Sequence, residues 1–199
     1  AMDLLDQMER LSDRTSSQAA NLRVRLWLTR SDQDPHSLPY ALRWMERCEV
    51  LLDDAGYYDL TPLTLVRVRI AQRRLVGHGP NLDEVFRYLD RYLTYAQTWS
   101  STGQAIEALN LRALALQARG DTSQALASVQ RALALGEAEG YVYAFLQEGA
   151  PMAHLLRRLA ASHAPVGYVA RLLAAFPDTM GSEPPTRGTL HETLTEPLT

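Results

Sequence analysis

The chain has 199 residues and a formal net charge of −3, and its 46% hydrophobic fraction can supply a real core. As a whole it lacks the basic excess that nucleic-acid binding requires, and it holds no apolar run long enough to span a bilayer. All 20 basic residues are arginine, so a Walker A phosphate loop and Schiff-base chemistry, both of which need a lysine, are excluded.

Met2 to Leu11 reads as a helix, with Leu4, Leu5, Met8 and Leu11 on one face. Ser16 or Ser17 can cap the next helix, which continues to about Arg30, and Ser31 to His36 is a polar loop. Ser37 is the candidate cap of the following helix, with Pro39 in its first turn and an end near Asp53 or Asp54, before Gly56. Thr61-Pro62 repeats that device and opens a helix to about Leu75, which Gly77-His78-Gly79-Pro80 breaks. Asn81 or Asp83 starts another, running to about Trp99, and the polar stretch Ser100-Ser101-Thr102-Gly103 follows. The next helix reaches Arg119. Gly120 suits the left-handed position after it, and Asp121 suits the cap of its successor. Beyond Gly140 come three shorter helices: Tyr141 to Glu148, one opened by Pro151, and one opened by Pro165. From Pro177 onward, Pro, Gly, Thr and Glu dominate without an apolar period, which reads as linker.

Three stretches repeat one pattern. Ala41-Leu42-Arg43-Trp44-Met45-Glu46-Arg47 aligns with Val85-Phe86-Arg87-Tyr88-Leu89-Asp90-Arg91 and with Ala125-Leu126-Ala127-Ser128-Val129-Gln130-Arg131. Each is preceded by a second run: Leu22-Arg23-Val24-Arg25-Leu26, Val66-Arg67-Val68-Arg69-Ile70 and Leu111-Arg112-Ala113-Leu114-Ala115. Repeated helix pairs imply an all-α superhelix, in which a unit hides its apolar face only against its neighbours. Such an architecture serves binding more than chemistry.

The third unit resembles the tetratricopeptide repeat. Gly120, Ala125, Val129 and Ala132 occupy its turn glycine, small, larger apolar and second small positions, although the unit spacing of 44 and then 40 residues exceeds the usual period of about 34. The stretch Ala105 to Phe176 is more specific. Gly140-Tyr141-Val142-Tyr143-Ala144-Phe145-Leu146-Gln147-Glu148-Gly149, then Pro151-Met152, Leu155-Leu156-Arg157-Arg158 and Leu172-Leu173-Ala174-Ala175-Phe176, is similar to the helical sensor region of LuxR-type, MalT-like transcription regulators. That resemblance implies a tetratricopeptide-like sensor domain over 1–176 with a C-terminal helical cap, and a flexible linker over 177–199 leading to an absent LuxR-type DNA-binding domain. It implies a bacterial, cytoplasmic protein that receives an inducer small molecule or a protein or peptide partner, with self-association as a further option. ATP is expected only in an absent upstream module, DNA only through the absent C-terminal domain, and no cofactor in this segment. The alternative is a free-standing tetratricopeptide scaffold that recruits a protein partner.

Enzymatic chemistry finds no support in the residues. None of His36, His78, His154, His163 and His191 pairs with another at metal-ligand spacing, and Asp53-Asp54 and Asp32-Gln33-Asp34 fit helix termination and solvation. Cys48 takes a place held by Tyr92 and Ala132 in the other units, which points to packing. The aromatic series Trp44, Tyr88, Tyr92, Tyr95 and Trp99 reads as inter-helix packing, and Tyr57-Tyr58 as a pair that fastens a loop or closes over a ligand.

The candidate binding residues follow from the repeat register. If the first helix of each pair lines a concave groove, Asn21, Arg25, Arg69, Gln72, Arg73, Asn110 and Gln117 face it. Arginine forks there can grip a carboxylate or phosphate, or they can pair with acids on adjacent helices. Arg67, Arg69, Arg73 and Arg74 also form a local basic cluster.

Overall fold

A computed structural model describes residues 13–30, 36–48, 50–57, 59–77, 81–161 and 166–176. The expected helix over 2–11, Tyr58, the break at 78–80 and the linker over 177–199 lie outside the described residues. Among the described residues there is no strand. The helices are α1 (Asp13–Arg30), α2 (Ser37–Glu46), α3 (Thr61–Val76), α4 (Asp83–Thr98), α5 (Thr102–Arg119), α6 (Thr122–Glu139), α7 (Tyr143–Leu146), α8 (Gly149–Ala161) and α9 (Val166–Ala175). No helix is long and apolar enough to cross a membrane, among the described residues.

Local chemistry explains several boundaries. Pro62 sits in the first turn of α3, where its missing N–H costs nothing. The Asp59 carboxylate accepts from the Thr61 N–H at 3.0 Å and from its hydroxyl at 2.9 Å. Gly120 ends α5 at φ 94°, a left-handed conformation that a side chain resists, and Asp121 caps α6 by accepting from the Gln124 N–H at 3.2 Å. Gly120→Ala is therefore expected to cost about 1 kcal/mol, read as a lower urea midpoint at unchanged slope.

Two boundaries depart from the sequence reading. Ser16 and Ser17, the expected caps, lie inside helix α1, which is described from Asp13, and α2 stops at Glu46 instead of continuing to Asp53 or Asp54. The second difference has a long-range cause. Two arginines of α4 seize the loop that follows α2. Arg91 donates to the carbonyls of Leu52 (2.5 Å) and Asp53, and Arg87 forks onto the Asp53 carboxylate at 2.9 and 3.2 Å. That fork holds the Asp53 carboxyl below its ordinary pKa. Leu52 is buried in the main core, and Tyr57 stacks on Tyr95 with ring centroids 4.7 Å apart. These loop contacts replace the helical turns that local periodicity favours. Cys48, half-buried, packs against the same core.

Neighbouring helices pack along the chain, α5 on α6 most extensively, then α4 on α5, then α1 on α2; α3 and α4 approach less closely, with the bulky Tyr88 and Tyr92 buried on α4. α1, α3 and α5 also pack directly against one another in series, forming an inner row that the second helices of the pairs do not form. On α6 the small residues Ala125, Ala132 and Gly136 are buried together with Val129 and Leu133. Gly136 is required by proximity: a Cβ there would meet the Tyr168 hydroxyl at 2.7 Å and the Phe145 ring at 3.1 Å. Helices α7, α8 and α9 close the C-terminal end of the array, and the Tyr168 hydroxyl of α9 donates to the Tyr141 carbonyl.

Candidate functional site

The inner row and the end cap meet at one cavity of about 60 Å3, room for a carboxylate-sized group more than for a whole ligand. α1 contributes Arg25, Leu28 and Thr29; α3 contributes Arg67, Ile70, Ala71 and Arg74; α5 contributes Leu111 and Leu114. The remaining wall, 147–151, comes from the α7–α8 junction. The floor is aliphatic and the rim is charged.

Arg67 is the anchor. It is buried, and its Nη2 donates to Glu107 at 2.7 Å and to Glu148 at 2.5 Å, while Nε reaches both Glu148 oxygens at 3.2 Å. Nη1 donates to the Leu63 carbonyl at 3.4 Å. Burial alone would lower the pKa of this guanidinium; Glu148 and then Glu107 outweigh it and hold the group above its ordinary value. The network joins α3 to α5 and to the residue just before α8, so one side chain ties the inner row to the cap.

Arg25 is the second cation. Its Nη2 donates to the Gln147 side-chain oxygen at 2.6 Å, again bridging the row and the cap. Desolvation first, and the charge of Arg67 next, hold its pKa below the usual arginine value. No described carboxylate forms an ion pair with it. A partly desolvated guanidinium with five N–H donors, one described bond and a cavity beside it has capacity for an anion.

The seven residues placed on the groove by repeat register divide sharply. Arg25 lines the cavity; Asn21, Arg69, Gln72, Arg73, Asn110 and Gln117 do not. Asn21 is buried and donates to the Thr61 hydroxyl at 3.0 Å, fastening α1 to α3. Arg69 points the other way and pairs with Glu84 of α4. Asn110 is fully buried and donates to the Ala144 carbonyl at 2.8 Å, holding α7 onto α5; its side-chain oxygen makes no hydrogen bond to a described residue. Gln72, Arg73 and Gln117 are half-buried and do not line the cavity, and the Gln72 side-chain oxygen likewise makes no hydrogen bond to a described residue.

The cavity does not follow the register that the aligned runs suggest. Arg25 was matched to Arg69, whereas the structure sets Arg25, Leu28 and Thr29 on the same surface as Arg67, Ile70 and Ala71. The aligned apolar runs could not fix this, because α3 is buried on every side from Thr61 to Val68 and exposure does not mark the rotation of that half. The residues missed are Arg67, Arg74, Glu107, Gln147 and Glu148. Their signal was present: Arg67 and Arg74 lie two turns apart in the basic cluster, and Gln147-Glu148-Gly149 lies within the stretch that carried the family resemblance.

Most of the tyrosines singled out pack against one another. Tyr57 packs against Tyr88, Tyr92 and Tyr95, fastening its loop to α4. Burial is the leading cause that raises the pKa of the Tyr88 and Tyr92 hydroxyls. Trp99 is the exception in the aromatic series: it is 68% exposed at the end of α4. Among the described residues no group of three or more His, Cys, Asp or Glu could hold a metal ion.

Antiparallel helix pairs stacked through a common inner row, with a charged groove closed by a helical cap, define a tetratricopeptide-like helical repeat protein. More narrowly, the chain belongs to the MalT-like TPR region family, whose model matches residues 1–162. No curated protein and no solved structure matches it.

Proposed function

We propose that this chain is the signal-receiving segment of a cytoplasmic bacterial LuxR-type transcription regulator, and that its groove receives the anionic group of an inducer or of an acidic peptide partner. It acts by binding, without catalysing a reaction. The observation that carries the reading is Arg25: a half-buried cation with a depressed pKa and no ion pair to a described carboxylate, at the edge of a cavity. An incoming carboxylate or phosphate gains a charge-assisted hydrogen bond there and competes with Glu148 for Arg67. Any loosening of Glu148 is felt at the start of α8, so occupancy of the groove biases the position of the cap. Such a bias requires the ligand to prefer one cap position over the other.

Calorimetric titration with a penta-glutamate peptide tests this reading. Arg25→Ala is expected to weaken binding by about tenfold or more. Arg69→Ala should leave the affinity unchanged, because that side chain is spent on Glu84. Equal affinity of wild type and Arg25→Ala would remove the groove as the site.

A further inference from the structure

A second cavity, of about 470 Å3, lies between α1 and α2 and shares no lining residue with the groove. Its walls carry three arginines, Arg23, Arg43 and Arg47, and three aromatic rings, Trp27, Tyr40 and Trp44, with no carboxylate among the described lining residues. The rings are already ordered. Trp27 and Tyr40 stack with centroids 5.2 Å apart and planes at 26°, and the Arg43 guanidinium lies 4.6 Å over the Tyr40 ring. Arg47 follows one turn along, its Nε donating to the Arg43 carbonyl at 3.2 Å.

Elsewhere Arg87 pairs with Asp53, and the half-buried Arg112 pairs with Asp90. Arg43 and Arg47 are exposed and form no ion pair with a described carboxylate. Two cations left with each other, beside a stack of rings, repel one another and attract an anion. The concavity falls within the volume range of small-molecule sites, and aromatic walls with a few convergent charges are their usual composition. A flat anion satisfies both halves at once: its ring adds to the aromatic stack, and its charged group takes the guanidinium forks.

We propose that this cleft binds a small planar anion, an aromatic ring bearing a phosphate or a carboxylate, with the ring among Trp27, Tyr40 and Trp44 and the charged group on Arg43 and Arg47. The site is independent of the groove reading. The test uses the Trp99→Phe chain, which leaves Trp27 and Trp44 as the only tryptophans. Their fluorescence is followed during titration with AMP and, separately, with benzoate. Saturation by either below about 1 mM supports the proposal and tells which anionic group is preferred. Adenosine and inorganic phosphate are expected to need at least about tenfold higher concentrations, since each offers one half of the match. Arg43→Ala with Arg47→Ala should weaken binding by at least about tenfold at unchanged far-ultraviolet circular dichroism, while Arg25→Ala changes nothing. Failure of both probes to saturate, an affinity indifferent to the paired arginine substitution, or loss of binding in Arg25→Ala would each overturn it.

Discussion

Arg67→Ala is expected to destabilise the chain by about 3–5 kcal/mol, the usual cost of leaving a buried charge without its partner. Glu148 is the reason. Its side chain is only 3% exposed and it meets Arg67 in a fork. Removing the guanidinium strands one carboxylate in the interior and takes a partner from Glu107. The loss should appear in guanidinium denaturation as a lower midpoint. The paired change Arg67→Met with Glu148→Gln is expected to recover most of it, because an ion pair replaced on both sides by well-packed uncharged groups is often neutral. Equal instability of the single and paired variants would assign the effect to lost packing around α3 and not to charge.

Phe145→Ala is the second large effect, expected to cost about 3–5 kcal/mol. Phe145 is completely buried, sits edge-on to Tyr168 with centroids 6.1 Å apart, and packs where Gly136 of α6 leaves room for it. It is the plug through which α7 and α9 join the array. Stacked repeats contact only their neighbours, so the damage should be local. Calorimetry is expected to show the melting of the C-terminal helices moved down by about 10 °C, with the α1–α3 region less affected. A variant that melts as wild type would mean that Asn110 and Tyr168 hold the cap without the ring.

Much of the fold was legible because its signals are local. The Thr61-Pro62 start, the Gly120-Asp121 turn and the small-residue stripe of α6 each depend on neighbours within a turn or two. The end of α2 was not legible, since it is decided by Arg87 and Arg91, which act on the loop from 34 and more residues away. The site was the least legible part. Arg25 was found because its helix α1 has both covered and open faces, whereas Arg67 lies on the half of α3 that is buried all round and its partners are 40 and 81 residues distant. A buried arginine among apolar residues is itself a pointer, since it must be paired, but the partner cannot be read from spacing.

One physical link underlies the functional reading: the inner row and the cap are held as a unit by Arg67 and Glu148, so that an event at the groove reaches the C-terminal helices. Hydrogen–deuterium exchange on Arg67→Ala tests this link directly. Amides of α7 and α8 should lose protection ahead of those in α5 and α6, because the tie at 148 is gone while the α5–α6 hairpin keeps its own core. Exchange in α7 and α8 identical to wild type would show that the cap stands without Arg67, and the proposed route through Glu148 would be contradicted.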